Sequence, residues 1–250
     1  MMFPMASSRA GRAMHDRGAP RPPRHQPAGR ERSRGPVNAG LAGTGLVADD
    51  LYLMAHHELT GRPLLQPRPL GIGLAGALLA ELMLGGSITV RPGGVVLAGR
   101  SWPADDLARR VRDQIAGEYQ PRPLPEWLLF WARTAAVDLA GRLERAGYLM
   151  RVGGWVRRRP GRWVSVDPDW AFGPLLRVRS ALDPARPFDP REVALAGLAV
   201  ASGLGFRLDQ YLTPVGRALA EAIGYLGPDL RELIAQTQAA VDSALLSHRI

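Results

Sequence analysis

The stretch from Leu70 to Leu84 restricts the possible folds of this chain more than any other part of the sequence. Glu81 is its only charged residue. A helix that is apolar on nearly all sides must be covered on all sides, so this stretch predicts a buried central helix. At about 1.5 Å per residue it would reach roughly 22 Å, short of the ~30 Å core of a bilayer. The sequence therefore predicts a mostly α, single compact helical domain built around a core helix, not around a membrane span.

One or two small β-hairpins are predicted beside the helices. Ser87–Val90 and Val95–Ala98 are rich in β-branched residues and flank a Pro-Gly-Gly turn, which is typical of a hairpin. A second hairpin is predicted between Tyr148 and Val166. Either its Gly-Gly pair or its Pro-Gly pair can form the tip, so the sequence leaves the pairing of this hairpin open.

Helix signals account for most of the remaining chain. Asp49-Asp50 begins a short helix that is expected to end at Gly61, because acidic residues suit a first helical turn. The longest predicted helix runs from Pro125 to just before Gly147 and buries Phe130 and Val137 among its apolar residues. Further helices are predicted to start at Pro103, Asp189, Thr213 and Gly227.

The first 44 residues differ in composition from the rest of the chain. Residues 1–40 contain eight arginines and two acidic residues, a net charge of +6 out of +9 for the whole chain. They are rich in Pro, Gly and Ser, so we predict a disordered tail at 1–44 and one helical domain at 45–250. The tail is either a solvated extension or a basic arm that attracts anionic lipid.

Cysteine is absent, and all 32 basic residues are arginine. The lack of cysteine excludes disulfides, thiolate metal sites and cysteine nucleophiles, and it suits a reducing compartment. No apolar segment of signal-peptide length follows the arginines of the tail. We therefore expect a cytoplasmic protein.

The run from Gly71 to Gly76 matches the GxGxxG pattern of dinucleotide-binding loops. Its context excludes that function, because the proline-rich segment before it cannot be a central strand. In addition, no acidic residue lies between Glu81 and Asp105 to bind a ribose. We expect these glycines to allow close packing between helices instead.

Catalytic and metal-binding patterns are also lacking in the sequence. His56 and His57 are adjacent, so they point to different faces of a helix and do not suit a zinc site. We find no nucleophile elbow, no P-loop and no pair of carboxylates with an evident acid–base role. The sequence predicts a protein with no enzymatic activity, no cofactor and no metal.

The second hairpin carries a dense basic cluster. We expect its tryptophan and arginine side chains to form an interaction surface, which consists of Trp155, Arg157, Arg158, Arg159 and Arg162. Arginine suits phosphate because its guanidinium offers a planar fork of donors. A helix followed by a basic hairpin is typical of winged-helix DNA-binding proteins, but exposed strands also carry arginine with no ligand. A solvated hairpin, a lipid contact and a nucleic-acid contact are the alternatives.

Four segments in this order resemble the Golgi phosphoprotein 3 family. They are Asp49-Asp50-Leu51-Tyr52-Leu53 leading to Gly61, Gly73-Leu74-Ala75-Gly76 followed by Leu82 and Gly85, Arg142–Leu149, and the Arg191–Leu204 helix. The resemblance runs from Val47 into the C-terminal region. It implies a mostly helical, single-domain peripheral membrane protein on the cytoplasmic face of a membrane.

The resemblance also implies a ligand site. Eukaryotic members bind the headgroup of phosphatidylinositol 4-phosphate in a basic pocket, and a neighbouring apolar loop enters the bilayer. Position by position, the family's pocket tryptophan falls on Gln66 and its three arginines fall on Ala75, Arg133 and Ala136, so only Arg133 is retained. Each lost guanidinium removes a contact of about 1.5–3 kcal/mol, which weakens the expectation of specific 4-phosphate recognition.

The proline-rich loop before the central helix is expected to replace part of this charge. Arg62 and Arg68 supply guanidiniums, and Leu64-Leu65 either enters the bilayer or folds back onto the core. The prediction is a peripheral membrane protein that binds phosphoinositide or other anionic lipid through a face with Arg62, Arg68 and Arg133. The resemblance adds cytoplasmic tails of membrane proteins and a second copy of the chain as partners. The alternative is a winged-helix-like nucleic-acid-binding protein.

Overall fold

The structure is a computed structural model that describes residues 43–99, 101–153, 161–183, 185–209 and 215–247. All of these residues belong to one compact unit, residues 36–250. They form ten helices and four strands. In chain order these are α1 (Val47–Met54), α2 (Pro67–Leu84), β1 (Ile88–Arg91), β2 (Gly94–Leu97), α3 (Asp106–Ala116), α4 (Leu124–Trp131), α5 (Ala135–Arg145), β3 (Leu149–Val152), β4 (Arg162–Ser165), α6 (Asp169–Ala181), α7 (Pro190–Ala201), α8 (Gly205–Asp209), α9 (Val215–Gly224) and α10 (Pro228–Leu246). The predicted mostly α fold is confirmed.

Helix α2 lies at the centre of the core, as its composition predicted. Every residue from Pro69 to Ala80 is buried, because α1, α4, α7 and α10 pack around it. Among the described helices, α2 is the one whose length and apolar composition would allow it to cross a membrane, but 72% of it is buried inside the fold. Its apolar surface is therefore covered by protein.

The glycines of the GxGxxG run bring α2 into close contact with three neighbours. A Cβ at Gly71 would overlap the carbonyl oxygen of Ala132, which follows α4. A Cβ at Gly73 would overlap the Ser202 hydroxyl at the end of α7, and one at Gly76 would crowd α10. The prediction that these glycines serve helix packing is confirmed.

The prediction of one long helix from Pro125 to just before Gly147 is wrong. The structure has two helices, α4 and α5, in its place. Residues 132–134 separate them, and the Thr134 N–H donates to the Trp131 carbonyl oxygen at 3.1 Å, a three-residue spacing that departs from the α-helical one. Phe130 and Val137 are 37% and 63% exposed, although both were expected to be buried. The break gives the two helices different orientations towards the core.

Other helix boundaries also differ from the prediction. Helix α1 ends at Met54, well before Gly61. The helix expected from Pro103 begins three residues later, with Asp105 as its N-cap. Helix α6 was not predicted, because Pro174 in its interior interrupts the helical pattern. Helices α7 and α10 begin where the capping signals placed them.

Both hairpins are present. Strands β1 and β2 pair antiparallel, with Ile88 opposite Leu97. Strands β3 and β4 also pair antiparallel, with Val152 opposite Arg162. Both candidate tips of the second hairpin therefore fall in the one connection between its strands, and residues 154–160 of that connection lie outside the described residues.

Candidate functional site

An open cavity of about 590 Å³ lies where three parts of the chain meet. These are the first turns of α2, the turn between α4 and α5, and the C-terminal half of α10. Nine of its lining residues are apolar, and four are polar, namely Arg68, Arg133, Ser243 and Ser247. The volume lies in the range of pockets that hold small ligands, and the mainly apolar wall with a few polar groups is also typical of such pockets.

Arg68 and Arg133 make this cavity attractive to anions. Both side chains are exposed, and neither has an ion pair or a side-chain hydrogen bond with another described residue. No carboxylate of the described part of the chain lines the cavity. Two cationic groups without a counter-charge, next to a low-dielectric wall, concentrate anions at this point of the surface.

The local chain positions both arginines. Arg68 is the second residue of α2, whose first turn starts with Pro67, a residue suited to that position. Arg133 lies in the turn between α4 and α5, where the missing helical turn leaves its side chain exposed. The uninterrupted helix predicted from sequence would not have produced this turn.

The N-terminus of α2 contributes little to anion binding. Pro67 and Pro69 have no N–H group, and the Leu70 N–H donates to the Gln66 carbonyl oxygen at 3.0 Å. Among the first backbone N–H groups of the helix, that of Arg68 alone remains available. The cavity therefore relies on guanidinium groups rather than on free helix N–H groups.

The other predicted pocket residues are placed differently. Ala136 lines the cavity, whereas Arg62 is exposed beside the lining residue Pro63 and does not line it. Gln66 is the exposed residue just before α2. Ala75 is fully buried in the core and does not line the cavity. The structure thus brings Arg68, Arg133 and Ala136 together and separates Ala75 from them.

Leu64 and Leu65 are half-buried and pack against the hydrophobic core. Of the two alternatives drawn from the sequence, the structure agrees with the one in which this pair folds back. Leu129 of α4 is a large exposed apolar residue at the cavity, with 56% of its surface accessible. The sequence signal for Leu129 was the run LPEWLLFW, which has more apolar residues than one buried face requires.

Ser243 and Ser247 of α10 were not predicted either. They line the cavity together with Ala240 and Ala244, opposite a wall that begins more than 150 residues earlier in the chain. In a sequence, small residues near a helix end do not indicate that they line a pocket. Their role depends on how α10 packs beside α2 and α4.

A second group of charged residues is buried and structural. The Arg142 guanidinium donates to Asp49 at 2.8 Å, to Asp105 at 2.9 Å and to both Glu81 carboxylate oxygens at 3.1 Å. The Ala48 N–H also donates to Glu81, at 2.8 Å. This cluster, which we call the Arg142 cluster, links α1, α2, α5 and the N-terminus of α3. Asp49 was expected to serve only as a helix-start charge, and the structure gives it this second role.

Burial controls the ionisation of this cluster. Burial raises the pKa of Asp49 to about 7 against the attraction of Arg142, with Glu81 adding to the rise. Burial likewise raises the pKa of the neighbouring Asp50 to about 6, although Arg177 and Thr44 bind its carboxylate. Three carboxylates share one guanidinium in the Arg142 cluster, so part of their negative charge is unbalanced. Protonation of Asp49 removes one of these negative charges.

The adjacent histidines have no feature of a ligand site. The His56 Nδ1–H donates to the Tyr52 carbonyl oxygen at 2.7 Å, and the His56 ring stacks on the Tyr52 ring with centroids 4.0 Å apart. Burial lowers the pKa of His56, which favours the neutral ring. Within the described residues, no group of three or more His, Cys, Asp or Glu side chains is placed to hold a metal ion.

Most of the predicted hairpin surface, Trp155 and Arg157 to Arg159, lies outside the described residues. Arg162 is exposed in β4. Beside it, the Trp163 indole N–H donates to Glu144 at 3.0 Å, and the Arg151 guanidinium lies 5.4 Å from the Trp163 ring centroid. This tryptophan is therefore engaged within the protein.

Comparison with protein-family models gives a match to Golgi phosphoprotein 3 (GPP34) over residues 47–237. The chain belongs to the Golgi phosphoprotein 3 family. The resemblance found in the sequence is thereby confirmed over most of the described helices. A comparison with curated protein sequences found no match.

The residues matched to the family include both the Arg142 cluster and part of the cavity. The Golgi phosphoprotein 3 segment contains Asp49, Glu81 and Arg142, so distant parts of the matched segment meet in the Arg142 cluster. It also contains Arg68 and Arg133 of the cavity. The α10 wall of the cavity, from Ala240 to Ser247, lies beyond the matched segment.

Proposed function

We propose that this member of the Golgi phosphoprotein 3 family docks peripherally on membranes that contain anionic lipid, through the face that carries the cavity. The observation that supports the proposal is the pair of exposed guanidiniums, Arg68 and Arg133, in one open cavity with mainly apolar walls. A phosphate headgroup would supply the charge-assisted hydrogen bonds that these two groups lack within the described part of the protein.

Two electrostatic contributions favour docking. A hydrogen bond between a guanidinium and a phosphate is worth about 1.5–3 kcal/mol. In addition, arginines close to an anionic surface gain about 1 kcal/mol each from its negative potential, and the chain carries a net charge of +9. The first contribution needs Arg68 and Arg133 in particular, whereas the second depends on total charge.

Leu129 supports an apolar contact with the same membrane. Its side chain is 56% exposed and lines the cavity beside Arg133. An apolar side chain next to cationic groups suits the boundary between headgroups and acyl chains. We assign to Leu129 the bilayer contact that the sequence had suggested for Leu64 and Leu65.

Vesicle co-sedimentation tests the proposal. The full chain should bind vesicles that contain phosphatidylserine or a phosphoinositide, and it should not bind vesicles of phosphatidylcholine alone. Arg68→Ala and Arg133→Ala should each weaken binding about tenfold or more, because each removes a charge-assisted contact. No binding to any anionic vesicle at low salt would refute the proposal.

Arg145→Ala is the matched control. Arg145 is an exposed arginine in the last turn of α5, roughly 15 Å along that helix from its start beside Arg133, and it does not line the cavity. The variant loses the same charge and should bind nearly as well as the unchanged protein. Equal losses in Arg145→Ala and Arg133→Ala would mean that total charge, and not the cavity, drives binding.

Nucleic-acid binding through the hairpin stays a prediction. A gel-shift experiment with duplex DNA at ~50 mM salt tests it, because contacts with phosphates make such binding strong at low salt and steeply salt-dependent. Retention of the duplex that is lost in Arg162→Ala and kept in Arg133→Ala would favour the hairpin as a separate nucleic-acid site.

A further inference from the structure

We infer that the cavity takes a phospholipid whose headgroup is a small phosphate monoester, as in phosphatidic acid, and not a headgroup that carries a polyhydroxylated ring such as inositol. The inference rests on the proposed function and adds the class of lipid. It follows from the polar groups of the wall, from the number of guanidiniums and from the α10 side of the cavity.

The polar groups of the wall suit phosphate oxygens better than hydroxyl groups. Arg68 and Arg133 donate hydrogen bonds and cannot accept them. Among the described lining residues, Ser243 and Ser247 alone have side chains that accept a hydrogen bond. An inositol ring carries several hydroxyl donors, for which the described residues of this wall offer only two side-chain acceptors.

The two guanidiniums match the charge of a phosphate monoester. A monoester carries about −1.5 to −2 charges at neutral pH and three strong acceptor oxygens. Each guanidinium fork can bind two oxygens, and in the proposed complex one monoester engages both Arg68 and Arg133. A phosphodiester headgroup has one negative charge and two free oxygens, so a single guanidinium already matches its charge.

The α10 side of the cavity leaves room for the apolar part of the same molecule. Ala240, Ser243, Ala244 and Ser247 follow the spacing i, i+3, i+4, i+7 and therefore share one face of the helix. Their small side chains leave space in the cavity that Leu129 also lines. A free phosphate ion would leave this apolar wall in water, whereas the glycerol and the first acyl carbons of a lipid would cover it.

Vesicles of equal surface charge test the headgroup preference. The full chain is added to phosphatidylcholine vesicles that contain phosphatidic acid, phosphatidylglycerol or phosphatidylinositol 4-phosphate. Binding to phosphatidic acid should be about tenfold tighter than to phosphatidylglycerol and also tighter than to the phosphoinositide. Equal or tighter binding to the phosphoinositide would overturn the inference but leave membrane docking intact. No binding to any of the three would overturn both.

A soluble phosphate monoester separates the lipid from the phosphate alone. Glycerol 3-phosphate, added at the concentration of accessible phosphatidic acid, should not displace the protein from the vesicles, because it lacks the acyl chains that cover the apolar wall. Full displacement at that concentration would overturn the lipid as the source of the phosphate.

Filling the cavity tests the α10 wall without a change of charge. Ala244→Phe should weaken binding to phosphatidic acid about tenfold, whereas Ala239→Phe, on an exposed face of α10 that does not line the cavity, should bind as the unchanged chain does. Ser243 is exposed, so Ser243→Phe places the same bulk in the cavity without disturbing the core. Unchanged binding in a folded Ala244→Phe or Ser243→Phe variant would overturn the inference.

Discussion

At the scale of single residues, the Arg142 guanidinium is almost wholly removed from water and faces three carboxylates. Such a buried cluster is costly to assemble, because every charge in it loses hydration. Removing its one cation is costlier, since the three carboxylates then lose their counter-charge while Asp49 and Glu81 stay buried. Arg142 therefore matters for folding more than for ligand binding.

Arg142→Ala should lower the free energy of unfolding by about 3–5 kcal/mol, the cost of leaving buried charges unpaired. Urea denaturation followed by circular dichroism measures the change. Arg145→Ala, three residues away on the exposed side of α5, should change it by less than about 0.5 kcal/mol. Similar values for the two variants would contradict the structural role of the Arg142 cluster.

The raised pKa of Asp49 predicts a dependence of stability on pH. Its folded-state pKa of about 7 exceeds the ordinary value of 3.8, so between these values the folded state binds more protons than the unfolded state. The contribution of Asp49 is therefore complete below about pH 4 and is lost as the pH rises through about 7. The shift of Asp50 acts in the same direction.

Comparison with Asp49→Asn isolates this effect, because asparagine does not titrate. The free energy of unfolding of the unchanged chain, relative to that of the variant, should fall on the order of 1 kcal/mol per pH unit between pH 5 and 7. Urea denaturation at each pH measures it. A difference that is constant with pH, or that rises, would show that Asp49 stays ionised in the fold.

At the scale of elements, α2 depends on glycine at its contacts. Alanine is a better helix former than glycine by about 1 kcal/mol, so a glycine-to-alanine change in a helix normally stabilises it. At Gly71 the new Cβ would overlap the backbone oxygen of Ala132, which cannot move without shifting the turn that carries Arg133. Close packing therefore outweighs helix propensity here.

Gly71→Ala should lower the free energy of unfolding by about 1–3 kcal/mol. Gly141→Ala in α5 should raise it by up to about 1 kcal/mol, because the new Cβ there meets only the end of the flexible Arg145 side chain, at 3.4 Å. Thermal denaturation of both variants measures the two changes. Shifts of the same sign would mean that helix propensity, and not packing against Ala132, decides the effect at Gly71.

At the scale of the whole molecule, the net charge is unevenly placed along the chain. Residues 1–40 supply +6 of the net charge of +9, and the cavity is lined by residues between Pro63 and Ser247. At physiological salt, attraction between exposed charges and a membrane is largely screened beyond a distance of about 8 Å. Contacts between phosphate and the cavity arginines are screened much less.

A shortened chain, residues 43–250, should therefore keep most of the vesicle binding at ~0.15 M salt and lose more at low salt. Arg133→Ala should weaken binding by the same factor in the shortened and in the full chain. Co-sedimentation at both salt concentrations measures this. Loss of most vesicle binding in the shortened chain at ~0.15 M salt would assign the binding to residues 1–42 instead.

Much of the fold was predictable because its signals are local. The apolar run of α2, the Pro-Gly-Gly turn after β1 and the capping residues of α7 and α10 each act within a few residues of chain. Of the candidate site, Arg68, Arg133 and Ala136 were identified in advance, and the structure puts all three at one cavity. The exposed Leu129 and the serines of α10 were not identified.

The sequence by itself determined the helical class, the central position of α2, the basic composition of residues 1–40 and the family resemblance, because these depend on residue type and on spacing along the chain. The tertiary structure decided the break that exposes Arg133, the burial of Ala75 and the α10 wall of the cavity. It also decided the pairing of Arg142 with Asp49, which lies 93 residues away in the sequence. These features depend on contacts between distant segments, and local propensity and periodicity contain no information about which distant segments meet.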